Sequence, residues 1–191
     1  MSIGCQPLTQ AEQQRLLTFL DSPRDRLLLT LGIATGFRIS ELLSIKLVDL
    51  IDPANNLLKA SITVTRRNMK GKVNSRSAPL GRATYSELEA FLKLSETIGN
   101  TWLFESQKGN KLSRCQAWRV ITDTAKRAGI AGKLGTHCMR KSFSKKIYKL
   151  SDKDIVKTQK ALGHKNINST ISYLSYAQTE IDELIIKGQE K

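Results

Sequence analysis

The chain has 191 residues, 40% hydrophobic and 25% charged, a length and balance that support one well-filled core and exclude wholesale disorder. Its longest apolar runs, such as Leu27 to Ala34, fall short of the roughly 20 residues that span a bilayer, and Cys5, Cys115 and Cys138 lack the number and spacing of a disulfide framework or a zinc site. The 31 Lys and Arg against 17 Asp and Glu leave a formal charge of +14 and a pI near 9.9, a field that favours a polyanion such as nucleic acid over a membrane surface.

Helical signals open the chain. Thr9 followed by Glu12 makes a capping box ahead of Leu16, Leu17 and Leu20, and Ser22-Pro23 offers a cap with proline in the first turn of a second helix. After Gly36 a third helix, with Leu42 and Leu43, is expected to run to about Ile45. The pattern then turns to β: Leu58 to Thr65 alternates faces and is rich in β-branched residues, and Arg76 to Leu80 reads as its partner across a turn at Met69 to Lys72. This is a basic hairpin. Helical periodicity returns at Thr84 to Ile98, with Leu88, Phe91 and Leu92 inward. Trp102 to Phe104 reads as a short strand, Lys108 to Asn110 as a turn, and Ser113 as the cap of a helix reaching Ala128 before Gly129. Trp102, Phe104 and Trp118 are expected in the core. Further helices are predicted at about 137–150, 153–162 ending at Gly163, 168–176, and 179–187 ending at Gly188. The fold expected is a single mainly helical α+β domain with a small antiparallel sheet, in a soluble, cytoplasmic protein with no membrane partner and with reduced thiols.

The chain has 2 histidines, His137 and His164. On a helix starting near Thr136, His137 and Arg140 share a face, with Lys141, Lys145 and Lys149 alongside, while Met139, Phe143, Ile147 and Leu150 fall opposite. That predicts one face in the core and another presenting imidazole, guanidinium and ammonium groups together, a set suited to a phosphodiester. A solvated basic face carrying one stray histidine is the plainer alternative. Gly36 to Leu42 places Arg38 at a helix start with Glu41 three residues on, able to orient it. Leu162-Gly163-His164 sets a histidine just past a helix end, and Tyr173 follows nine residues later.

Taken together, G-x-R-x-x-E-L at Arg38, H-x-x-R at His137 and Arg140, L-G-H at His164, and Tyr173 nine residues beyond resemble the tyrosine recombinase, or phage integrase, family, in family order from about Thr9 to Ala177. The resemblance implies a tyrosine-recombinase catalytic fold and a site-specific recombinase that cleaves and rejoins double-stranded DNA through a 3′-phosphotyrosine, without metal, ATP or another cofactor. It implies roles as well. Tyr173 is the nucleophile, Arg38 and Arg140 clamp the non-bridging oxygens, and His164 donates to one of them. His137 moves a proton near the nucleophile, and a hairpin lysine protonates the departing 5′ oxygen. That lysine maps to Lys70 or Lys72, with Lys70 preferred for its Lys-Gly turn context. Arg66, Arg67, Lys72, Arg76, Lys141 and Lys145 are the expected DNA contacts. Lys141 departs from the family pattern, since many relatives carry a second histidine there.

Tyr176 lies three residues beyond Tyr173 on the same predicted helix, whose apolar stripe is Ile167, Ile171 and Leu174, and periodicity does not separate the two tyrosines; the spacing from His164 favours Tyr173. Only about eight residues precede the first helix, whereas most relatives have a separate N-terminal domain, so the chain reads as a small single-domain member or a catalytic fragment. Recombination joins two duplexes, which implies a homotetramer on DNA, with accessory DNA-bending proteins as further partners and a nucleoid location. The segment from about 178 to 191, with Ile181, Leu184 and Ile185 on one side, is expected to pack on its own domain or to be exchanged between protomers. Two rival functions remain: a type IB topoisomerase, and a non-catalytic DNA-binding regulator.

Overall fold

The computed structural model describes residues 5–65, 75–94, 101–174 and 185–189. They form a mainly helical α+β fold that divides into two compact units, Met1–Phe143 and Ser144–Lys191. No described helix is long and apolar enough to cross a membrane.

In the first unit, α1 (Gln10–Phe19) begins at the expected capping box, with the Glu12 carboxylate accepting from the Thr9 backbone N–H at 2.7 Å. Helix α2 (Pro23–Thr35) has Pro23 in its first turn and buries Leu27, Leu28, Leu29 and Leu31. The side chain of Ser22 makes no capping bond there, so proline alone marks that start. Helix α2 ends at Gly36, whose φ of 60° is left-handed and whose N–H donates to the Gly32 carbonyl. The next helix, α3 (Ile39–Leu42), is one turn rather than a run to Ile45, and a further turn, α4 (Leu47–Leu50), follows that the sequence reading did not anticipate. Four residues carry too little periodicity to register.

Strand β1 (Ser61–Val64) pairs antiparallel with β2 (Arg76–Pro79) in the register Ile62↔Ala78 and Val64↔Arg76. The expected turn at Met69 to Lys72 lies outside the described residues. Helix α5 (Arg82–Leu94) buries Leu88 completely. Trp102 is not in a strand but makes an isolated bridge with Lys46, and among the described residues the 101–103 backbone pairs with Ile45 and Leu47.

Helix α6 (Arg114–Arg127) starts at Ser113 with a second capping box, to Gln116. Its inward face is Ala117, Ile121 and Ala125, four residues apart, so Trp118 points off that face. Trp118, expected in the core, is 51% exposed and walls a cavity of about 600 Å³ with Cys5, Gly135 and His137. Phe104 is core, as expected. Helix α7 (His137–Leu150) starts in the first unit and contains the boundary between the two. Leu150, expected to be buried, is 71% exposed.

In the second unit, α8 (Ile155–Leu162) is capped by the Asp154 carboxylate and ends at Gly163 with φ 64°. Helix α9 (Ile167–Ile171) is capped by Asn166 and is shorter than predicted. Its apolar stripe is also displaced: Ile167 and Ile171 are exposed, while Thr170 and Leu174 are buried. Residues 185–189 are helical, so Gly188 lies within that turn rather than past it, and Ile185 is exposed.

Candidate active site

The first unit gathers its cations around the end of α2. Glu41 is fully buried, and its carboxylate accepts from the backbone N–H of Arg38 and from the Arg38 guanidinium, both at 2.8 Å. Arg38 keeps 30% of its side chain exposed. A guanidinium tethered at one end and open at the other is oriented before any anion arrives, which is the use anticipated for Glu41.

Arg140 departs from the expected exposed face. It is 1% exposed, and its Nη1 donates to the carbonyl of Gly36. The reason lies in α7, where Cys138, Met139, Ser142, Phe143 and Ser144 are buried as well, so the early turns of the helix are enclosed nearly all round. A cation there needs protein acceptors. Ser142 adds to the enclosure by accepting the Leu8 N–H at 2.7 Å. His137, by contrast, stays exposed at the first turn. Partial burial lowers its pKa below the ordinary 6.5, and the charges of Arg140, Lys141 and Arg38 lower it further. The imidazole is therefore neutral at pH 7 and can accept a proton.

Two features of the first unit went unread in the sequence. Arg76 turns inward, donating to the carbonyls of Thr35 at 2.7 Å and Gly36 at 3.3 Å. Strand alternation could have revealed this, because Arg76 and the buried Ala78 share a face of β2. The thiols of Cys5 and Cys138 are also neighbours: hydrogen bonding from Cys138 brings Cys5 down to about 7, and the same contact with burial raises Cys138. Nothing local joins residues 133 apart.

In the second unit, the turn after Gly163 buries His164, whose Nδ1 lies 3.0 Å from the Thr170 hydroxyl. The Gln159 amide donates to the His164 carbonyl at 3.0 Å, fixing the turn. The Tyr173 ring stands edge-on to the His164 ring, centroids 5.3 Å apart. Residues nine apart in sequence thus become direct neighbours, since α9 folds back on the end of α8. Thr170 as the partner of His164 was likewise not foreseen.

Of the other expected site residues, Lys141 is half-buried and Lys145 exposed. Arg66, Arg67, Lys70 and Lys72, together with Tyr176, Ile181 and Leu184, lie outside the described residues.

Residues 6–180 match the family model described as the phage integrase family. The chain belongs to the phage integrase family. Among its relatives, the tyrosine recombinase XerD of Staphylococcus saprophyticus is 30% identical over 187 residues, covering 91% of this chain and 60% of that protein. The crystal structure of XerA recombinase shares the fold, with a TM-score of 0.76 at 24% identity over 98% of this chain and 66% of that one. XerH site-specific recombinase, in a post-cleavage complex with its palindromic difH substrate, has a TM-score of 0.73 at 26% identity, over 94% of this integrase-family chain and 51% of its own. The chain thus spans about half to two thirds of the length of these relatives.

Proposed function

We propose that this chain is the catalytic part of a site-specific DNA recombinase, cleaving and rejoining duplex DNA through a 3′-phosphotyrosine at Tyr173. In this reading the Tyr173 oxygen attacks a backbone phosphorus and gives its proton toward His137. The bond from phosphorus to the 5′ oxygen breaks, and Lys70, or Lys72, supplies the proton that makes the leaving group a 5′-hydroxyl. Arg38 and Arg140 hold the charge of the phosphorane, and His164 donates to one of its oxygens. The transesterification conserves the bond energy, so attack by a 5′-hydroxyl on the phosphotyrosine reverses it without ATP.

The observation that carries this reading is the shared anchorage of the two clamping arginines. Arg140 bonds the carbonyl of Gly36, and Arg38 starts two residues later, held by the buried Glu41. Charge stabilisation by fixed donors works when those donors need no reorganisation at the moment of reaction. Support also comes from the Tyr173 ring packed against His164, and from the DNA-bound state of the related XerH.

The working partner is double-stranded DNA, and the two units act together as one catalytic domain. A homotetramer holds two duplexes, accessory DNA-bending proteins help to assemble it, and the segment from about 178 to 191 is exchanged between protomers. Lys141, Lys145, Arg66 and Arg67 contact the DNA backbone, in the nucleoid of the cytoplasm.

The test is incubation of the full chain with duplex fragments tiling the DNA that flanks its gene, followed by detection of protein joined to a 3′ end. Tyr173→Phe should bind DNA almost normally and form no adduct, whereas Tyr176→Phe should still form it. The reverse pattern would move the nucleophile to Tyr176. Relaxation of supercoiled plasmid with no preferred site would favour a topoisomerase instead.

A further inference from the structure

We infer that Arg76 is a positioning residue for the arginine pair, capping the end of α2 so that Gly36, and with it Arg38 and Arg140, is held in one place. This deepens the proposed function and rests on it. The carbonyls at the end of a helix have no intrahelical partner and carry its negative dipole end. Helix α2 has no basic residue in its own last turn. The cap arrives from elsewhere: Arg76, on β2, donates to the carbonyls of Thr35 at 2.7 Å and Gly36 at 3.3 Å, and Arg140, on α7, bonds the same Gly36 oxygen. The Arg76 guanidinium also lies over the ring of Phe37, 4.8 Å from its centroid, and 6.0 Å from that of Phe143.

The group is well matched to this seat. Two carbonyls from successive residues need two donors at a fixed angle, and a flat cation can lie on an aromatic face, so lysine would reproduce one bond and little of the stacking. Burial lowers the Arg76 pKa to about 10, which leaves it charged at pH 7. Its strand partner is Val64, so the seat also fixes β2, and β2 leads directly out of the segment that contains Lys70 and Lys72. One side chain therefore ties the hairpin to the turn that carries Arg38.

The rival role for Arg76 is a phosphate contact, and the two make opposite predictions. Arg76→Lys and Arg76→Met should each be compared with the wild-type chain in two measurements. The first needs no DNA. The pKa of His137 is lowered by burial and by the charges of Arg140, Lys141 and Arg38, so it senses where those groups stand. Arg76→Lys keeps the positive charge, so a change at His137 in that variant reports movement of the other arginines rather than the loss of a charge. By NMR titration the His137 midpoint should rise toward 6.5 in Arg76→Met, and by less in Arg76→Lys.

The second measures DNA affinity and the rate of covalent joining from the bound state, on a duplex with which the wild type forms an adduct. Both variants should lose at least about tenfold in that rate, as expected for misplaced catalytic groups, and should keep DNA affinity and its salt slope. An unchanged His137 midpoint in Arg76→Lys would overturn the inference. So would a weaker, less salt-dependent affinity with an unchanged joining rate, which is the signature of one lost phosphate contact. If Arg76→Met fails to fold, Arg76→Lys, which retains the charge and one donor, decides both measurements. Absence of any wild-type adduct would instead defeat the functional reading, while the titration still decides the positioning role.

Discussion

At His137 local charge opposes protonation, and this has a measurable consequence. Burial comes first among the causes that lower its pKa, followed by Arg140, Lys141 and Arg38. Arg140→Met should therefore raise the midpoint toward 6.5 without reaching it, because burial remains; no change would mean that the imidazole does not sense the arginine. The sign for stability follows from linkage. The unfolded chain takes up the His137 proton near 6.5 and the folded chain only at lower pH, so this group costs no stability above pH 6.5 and costs progressively more as pH falls below it. A neutral imidazole suits proton transfer near a phenol nucleophile, whose free pKa near 10 demands an acceptor. His137, Arg140 and Arg38 were legible as residues of interest from type and spacing. The burial of Arg140 was not, because it depends on a carbonyl 104 residues away.

Among the elements, the junction of α2 with α7 is the tightest test of the packing. Gly36 has a φ of 60°, and a Cβ there would stand 2.3 Å from a ring carbon of Phe143. Gly36→Ala adds left-handed strain of about 1–2 kcal/mol to overpacking of about 1–3 kcal/mol. Denaturant unfolding should therefore show a loss of at least about 2 kcal/mol with an unchanged slope; a loss below about 0.5 kcal/mol would mean that Phe143 moves aside freely. The hairpin calls for chemistry rather than stability. Lys70→Ala should cleave ordinary DNA poorly and recover when the bridging 5′ oxygen is replaced by sulfur, since a thiolate leaves without a proton. Lys72→Ala should show no such selective rescue and only a modest loss of binding. Rescue of Lys72→Ala alone would transfer the acid to Lys72.

For the whole molecule, the assignment of guanidiniums to charge stabilisation predicts that adduct formation persists in excess EDTA; strict dependence on added magnesium would overturn it. The formal charge of +14 matches the proposed DNA partner and was readable from composition alone. Local physics also made the capping boxes at Thr9 and Ser113, the glycine stops at Gly36 and Gly163, and the alternating strand around Ile62 legible, because each is decided within a few residues. The order and spacing of Arg38, His137, Arg140, His164 and Tyr173 were enough to point to the integrase family. Only the tertiary structure decided that Arg140 is enclosed, that the carbonyls Arg76 meets are those at the end of α2, that Trp118 is exposed, and that Cys5 meets Cys138. Those outcomes depend on which distant backbone groups and side chains fill the space around a residue, and periodicity along one element carries no record of what is packed against it.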